Sequence, residues 1–440
     1  MAIALAFRII FLLKFKLLTD DSYIYGDIAK NWLQHHVYGL SSPHGPVPTY
    51  IRLPGYPMFL AAIWSVVGVE HYRAVWIVQI VVDLGTCFLI ADLARRFFSD
   101  RAGKAAFILA ALCPFLANYA ALGLTETLAI FFAAMAMDAA VAALDKPYRV
   151  MRWALCGIGV AGGILLRPDG GMLLVAIGLH VLFRMMGPLT AEERRRNFVG
   201  GVIVSLVALA PLVPWTIRNW QTMHYLQPLT PMYANMPDEF VPRGFHRWVR
   251  TWIIDYSSVE DVWFKVDGMS VDVDDVPRRA FDNAQQLQRT VEIFGQYDDV
   301  GNTVTPAIDA QFADLAKERI QAHPIRYYAK LPLLRALDLW FRPRTEMLPI
   351  DAHWWRYWDD PGDFAKALSL ALINLLYLGA AALALIQGRV RYAGLFILFA
   401  VIRTGFLMWM PNPEPRYVLE CYPAVLAMAG SVFGGRSRAS

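Results

Sequence analysis

Pro54 to Gly68 read PGYPMFLAAIWSVVG, and whether this run crosses a bilayer sets the side on which every later loop falls. A helix needs about 20 apolar residues to span a hydrocarbon core ~30 Å thick. At 1.5 Å per residue this run reaches only ~23 Å, so it is expected to lie in the interface. With 54–68 left there, apolar runs near 72–94, 105–121, 124–143, 153–166, 170–186, 198–217, 364–387, 392–410 and 417–434 read as spans. Residues 1–18 (MAIALAFRIIFLLKFKLL) read as a weaker one, an uncleaved signal anchor in which Arg8, Lys14 and Lys16 must snorkel or find partners.

The basic residues decide between the alternatives. Arg95, Arg96, Arg101, Lys104, Lys146, Arg149, Arg152, Arg184, Arg194, Arg195, Arg196, Arg389, Arg391, Arg436 and Arg438 then share one side in short loops, and only Arg167 and Arg416 fall in short loops on the other. Counting 54–68 as a span would invert every later loop and break the positive-inside rule. The chain is therefore expected to be an all-α polytopic membrane protein of about ten transmembrane helices in the plasma (inner) membrane, with a cytoplasmic N-terminus. Its 57% hydrophobic and 13% aromatic content agrees. A net charge of +4, scattered between apolar runs, serves orientation rather than nucleic-acid binding.

Three parts follow: an N-terminal transmembrane catalytic module (1–218, its first outer loop 19–71), a mainly helical extracytoplasmic domain (219–362), and C-terminal transmembrane helices (363–440). In the outer domain, helices are expected at Asp282–Phe294, Ala307–Ala322 and Tyr327–Phe341. The last is amphipathic and expected on the membrane surface, with Trp340, Trp354, Trp355 and Trp358 forming an interfacial belt.

Polar residues sort by side. Asp20, Asp21, Arg52, Glu126, Arg167, Asp169, Arg218, Asn219, Glu414 and Arg416 map to the outer ends of the spans. One arginine at a helix end is ordinarily a snorkelling anchor. Several on one side, opposite a carboxylate pair, suit an anionic headgroup, because the guanidinium fork pairs bidentately with phosphate oxygens. Thr19–Asp27, TDDSYIYGD, reads as an acidic aromatic loop holding that pair, or else as a helix cap or solvated turn. In glycosyl transfer the acceptor hydroxyl must lose a proton, and an Asp or Glu is the usual base. A sugar carried on phosphate has a good leaving group already, so one base and cationic stabilisation suffice. Asp21 or Asp20 is the expected base, with Glu126 orienting the acceptor or acting with it.

Other patterns carry less. Gly157, Gly159 and Gly162 satisfy GxGxxG but lie in an apolar run that follows no strand, so they read as helix-packing glycines. Cys87, Cys113, Cys156 and Cys421 have no CxxC spacing. The acidic run Asp267, Asp272, Asp274 and Asp275 lacks EF-hand spacing, and His35, His36 and His44 lack a matching carboxylate. No metal or cofactor set is evident. A transporter or lipid flippase is the rival class, and it would place charges near span centres with internal repeats.

Taken together, DDSYIYGDIAKNW, RLPGYP, LTETLA, LLRPDG, PWTIRNW, EPRYVLECYP and the stretch HPIRYYAKLPLLRALDLWFRP resemble the protein mannosyltransferase-like branch of the GT-C glycosyltransferases. That branch includes the aminoarabinose transferases and rhizobial lipopolysaccharide-core galacturonosyltransferases. The resemblance implies an inverting transferase that uses a polyprenyl-phosphate sugar donor at the outer leaflet, with a lipid, polysaccharide or protein acceptor. It puts the catalytic Asp on Asp21 with Tyr25 in the tyrosine position, an acidic outer-loop residue on Glu126, and a donor-facing pair on Arg416–Tyr417. Arg52, Arg167, Arg218 and Asn219 complete the expected substrate contacts. Arg52–Leu53 replace the charged residue and lysine of the aminoarabinose branch, and Glu420 stands where a Leu-Pro pair is common.

Overall fold

Pro114 lacks an N–H and cannot continue a helical ladder, and the break it makes shows how the first part of the chain is held. The computed structural model describes residues 1–433; Arg436 and Arg438 lie outside them. The chain divides into two compact units. The first comprises Met1–Met236, Leu375–Ile402 and the chain from Leu419. It opens with α1 (Ala2–Phe15), α2 (Asp20–His35) and a short antiparallel hairpin, β1 (Gly39–Leu40) with β2 (Val47–Pro48). There follow α3 (Gly55–Val67), α4 (Tyr72–Phe97), α5 (Asp100–Ala111), α6 (Pro114–Ala120), α7 (Glu126–Asp145), α8 (Val150–Leu166), α9 (Gly171–Met185), α10 (Ala191–Leu209) and α11 (Leu212–Met223).

α5 and α6 meet at 53° across the Pro114 break. Arg8, which needed a partner, covers the carbonyls left there. Its Nε lies 2.7 Å from Asp83 Oδ2, its Nη2 donates to Ala110 O at 3.0 Å, and its Nη1 donates to Ala111 O. One guanidinium thus joins α1, α4 and the end of α5. α7 packs against α4 and α8, and α8 against α10. Gly159 makes the α7–α8 approach possible, since a Cβ there would come within 2.7 Å of the Ala136 backbone; the GxGxxG glycines are packing residues.

The second unit comprises Pro237–Asn374 and Arg403–Val418. It contains α12 (Arg243–Val249), α13 (Ala284–Asp299), α14 (Pro306–Ala322) and α15 (Leu331–Phe341). Its core is aromatic: Phe312 lies 5.3 Å from Phe245, 4.9 Å from Trp248 and 5.5 Å from Phe294, centroid to centroid. α13 and α14 match expected helices, whereas α15 begins only after a π-helical turn over Arg326–Lys330. α15 buries Leu331, Arg335 and Leu339 and exposes Leu333, Leu337 and Phe341, so its exposed face is apolar.

The residues of α16 (Pro361–Ile386) and of α17 (Ala393–Leu407) are divided between the two units, and α18 (Tyr422–Ala429) lies in the first. Among the described residues, five helical stretches are long and apolar enough to cross a membrane: α4, α7, Pro168–Met185, α10 with α11, and α16; the bent α5–α6 pair makes a sixth. The ten expected spans are thus not ten full-length helices. α1 has 14 residues, α8 has 17 and α17 has 15. The span expected at 417–434 is a 3-10 turn (Pro415–Cys421), the eight-residue α18, and another 3-10 turn over Gly430–Phe433. Every residue of α18 is buried, and irregular backbone is tolerated at membrane depth when protein surrounds it. The fold is all-α and polytopic, as the hydropathy required.

Candidate active site

Thr19–Asp27 is not a loop. Thr19 N donates to Ser22 Oγ at 3.0 Å in a capping box that starts α2, so Asp20 and Asp21 occupy its first turn. Acidic side chains are favoured there, where the helix dipole presents its positive end. The loop reading passed over the helical spacing of Tyr25, Ile28, Ala29 and Trp32, which face inward, with Tyr25, Ala29 and Trp32 packed against α3.

The first turn separates the two aspartates. Asp20 faces solvent, while Asp21 Oδ1 lies 2.8 Å from Arg52 Nη2. Arg52 also stands 5.8 Å from the centre of the Tyr25 ring. At the start of α7, Glu126 is buried, and its Oε1 lies 3.3 Å from Arg167 Nη1; Arg167 Nε lies 3.1 Å from Asp169 Oδ1. Gly55 allows this approach of α3 to α8, because a Cβ there would meet the Leu165 carbonyl at 2.6 Å.

Tyr25 connects the two ion pairs. Burial pushes its phenol up to about 12; Asp21 and Glu126 add to the rise, and Arg52 and Arg167 oppose it. Arg52 faces the ring from one side, and Leu128 and Leu166, neighbours in the chain of Glu126 and Arg167, pack in the same cluster as Tyr25. That ring packs edge-on against Tyr56 at 5.1 Å, within a cluster that includes Leu60, Trp64, Leu128 and Leu166.

Arg218 and Asn219, expected on the substrate, engage the main chain. Arg218 donates to Tyr38 O at 2.6 Å and Thr49 O at 2.7 Å, the two ends of the β1–β2 hairpin. Tyr38 in turn donates its hydroxyl to Arg52 O at 2.9 Å. Asn219 Nδ2 donates to Gln227 O at 2.7 Å. This pair holds the segment that carries Arg52. Arg416 and Tyr417 belong to the second unit, where Arg416 Nε lies 2.7 Å from Glu414 Oε2 and the Tyr417 hydroxyl donates to Glu414 Oε1.

Two residues around this site escaped the sequence reading, Tyr56 and Gln79. Tyr56 Oη donates to Gln79 Oε1 at 2.8 Å, and both are fully buried. The available signal was a lone amide in an otherwise apolar run, which demands partners in a membrane.

Residues 47–215 match the family model described as dolichyl-phosphate-mannose-protein mannosyltransferase. The match contains Arg52, Glu126, Arg167 and Asp169, and Asp21 precedes it. No curated protein sequence matches the chain. Among solved structures, the archaeal oligosaccharyltransferase AglB from Archaeoglobus fulgidus, in complex with an inhibitory peptide and a dolichol-phosphate, aligns at a TM-score of 0.47 and 12% identity, over 98% of this chain and 50% of its own. ArnT from Cupriavidus metallidurans, bound to undecaprenyl phosphate, aligns at 0.42 and 14%, over 98% of this chain and 76% of its own. The chain spans about half the length of the oligosaccharyltransferase.

Proposed function

We propose, from the match of residues 47–215 to the family model described as dolichyl-phosphate-mannose-protein mannosyltransferase, that this chain is an inverting membrane glycosyltransferase of the GT-C type. Its donor is a sugar on a polyprenyl phosphate, and its acceptor is a hydroxyl of a lipid, polysaccharide or protein at the outer face of the membrane. The observation that carries this reading is the pairing of Asp21 with Arg52 and of Glu126 with Arg167 around Tyr25.

Asp21 accepts the acceptor proton as the hydroxyl oxygen attacks the anomeric carbon. The bond from that carbon to the phosphate oxygen breaks, and the polyprenyl phosphate leaves with the electron pair. Arg52, already beside the base, both orients Asp21 and offers charge to the departing phosphate; Arg167 is a further donor contact. Glu126 orients the acceptor. Arg218 and Asn219 act at one remove, through the hairpin and the Arg52 main chain. The module 1–218 carries catalysis, and the outer domain selects the acceptor.

Asp21→Asn is expected to slow transfer by about 100-fold or more, the effect of losing a positioned base, and Asp20→Asn by less. Wild-type rates in both would remove the assignment. The sidedness has its own test, since the four native cysteines are buried and Tyr23 is exposed. A Tyr23→Cys chain should react with a membrane-impermeant maleimide from outside the cell, and labelling from the cytosol alone would end the outer-face reading.

A further inference from the structure

Gln79 sits two turns into α4 and is completely buried. A buried amide without partners costs several kcal/mol in hydrocarbon, so where its two ends go is informative. Oε1 accepts from the Tyr56 hydroxyl at 2.8 Å, while Nε2 donates to Leu122 O at 2.7 Å and to Ala120 O at 3.4 Å. Turned over, the amide would set its oxygen against two carbonyls, so the network fixes its orientation.

Both ends of this amide lead to the carboxylates. Leu122 pairs with Leu17 in an isolated parallel bridge, and Gly123 N donates to Leu17 O at 3.3 Å. Leu17 lies four residues before Asp21, and Leu122 four residues before Glu126. A Cβ on Gly123 would come within 2.8 Å of Leu18 and 3.0 Å of Ser22 Oγ, so the seam is closed as tightly as a glycine allows. At the other end of the amide, Tyr56 packs against Tyr25, the ring acted on by both ion pairs.

We propose that Gln79 is a positioning residue that fixes the seam between the segment launching Asp21 and the segment launching Glu126, and so sets the separation of the two carboxylates. The seam follows from the hydrogen bonds alone; its effect on turnover rests on the glycosyl-transfer reading. Gln79 touches no reacting atom in this account. It acts through Leu122 on one side and Tyr56 on the other.

Hydrogen exchange measured by mass spectrometry on the full chain in nanodiscs tests the seam without any donor. Gln79→Leu should speed exchange in peptides covering 17–22 and 120–126 while leaving α14 in the second unit unchanged. Unaltered exchange at the seam, or a uniform rise across the whole chain, would overturn the proposal.

A kinetic arm tests the consequence. Gln79→Leu should lower kcat by roughly 10- to 100-fold, the scale of a displacement of about 1 Å, with donor KM within about threefold. In an Asp21→Asn background it should add little, because both changes act on one step; fully additive losses would overturn the link. Gln79→Glu keeps one donor only while protonated, so its activity relative to wild type should fall as pH rises, and a flat ratio would count against the hydrogen bond to Leu122. Transfer unaffected by Asp21→Asn, together with local loosening in Gln79→Leu, would remove the catalytic reading and leave the seam standing.

Discussion

Arg8–Asp83 and Arg52–Asp21 are arginine–carboxylate pairs of nearly equal length, 2.7 and 2.8 Å, in the same unit, and they do different work. The Arg8 and Asp83 side chains are 0% and 3% exposed, and the Arg8 guanidinium is closed by Asp83 and by the Ala110 and Ala111 carbonyls. The Arg52 and Asp21 side chains are 19% and 35% exposed. Distance does not separate a lock from a site. What separates them is whether the partners enclose the charge completely or leave it a face that a ligand can reach.

The largest expected effect lies at the closed pair. Arg8→Met leaves Asp83 as an uncompensated buried charge, which costs about 3–5 kcal/mol in folding stability. Thermal unfolding in detergent should show the loss, and Arg8→Met with Asp83→Leu should recover most of it, since an apolar replacement of both partners is often close to neutral. Transfer per folded molecule should stay at the wild-type level. An undiminished melting temperature in Arg8→Met would show that the pair does not lock α1 to α4.

The open pair should behave the other way. Arg52→Ala is expected to lower transfer by roughly 10- to 100-fold, which corresponds to about 1.4–2.7 kcal/mol of activation free energy. Its effect on stability should stay within about 1 kcal/mol, as for most partly exposed pairs. A loss of folding on the scale of Arg8→Met, with unchanged turnover in what remains folded, would make Arg52 a second lock.

This contrast also shows what can be read from residues alone. The arginine in residues 1–18 was legible as a charge needing a partner, because the penalty is local. Asp83, 75 residues away, was not legible as that partner, since nothing in an apolar run tells which turn faces which helix. The long spans follow from hydropathy over 18 or more residues, whereas α18 fails that reasoning: Tyr422–Ala429 are apolar because they are buried in protein. At the site, residue types at span ends pointed to Asp21, Arg52, Glu126 and Arg167. Residue types could not show that Arg218 would be satisfied by two main-chain carbonyls, nor that Gln79 would bridge the segments launching the two carboxylates.

A half-closed pair gives a pH-dependent effect. In the second unit, Asp338 lies 3.8 Å from Arg342, and its side chain is 16% exposed. Burial raises the Asp338 carboxyl to about 7, with Arg342 opposing the rise. The folded unit therefore holds a proton that the unfolded chain releases near pH 4, and its stability falls as pH climbs from about 4 to about 7. Asp338→Asn should remove that slope, leaving the variant the more stable protein at pH 8 and indistinguishable from wild type at pH 4. Parallel melting curves for the two proteins across that range would contradict the assignment.

The smallest effect belongs to a pair that is open on every side. Lys30 Nζ lies 2.9 Å from Glu70 Oε1, a contact nearly as short as that of Arg52 with Asp21, with side chains 40% and 61% exposed. Water and salt screen such a pair, and two flexible side chains lose freedom to form it. Lys30→Ala is therefore expected to leave both the melting temperature and the rate of transfer at their wild-type values, at low and at high salt. Lys30 lies on the same helix as Asp21, less than three turns further along, so the substitution also controls for disturbance of α2. If Lys30→Ala slowed transfer as much as Arg52→Ala, the placement of the helix rather than the charge beside the base would govern the rate, and the distinction between an open pair at the site and an open pair on the surface would no longer hold.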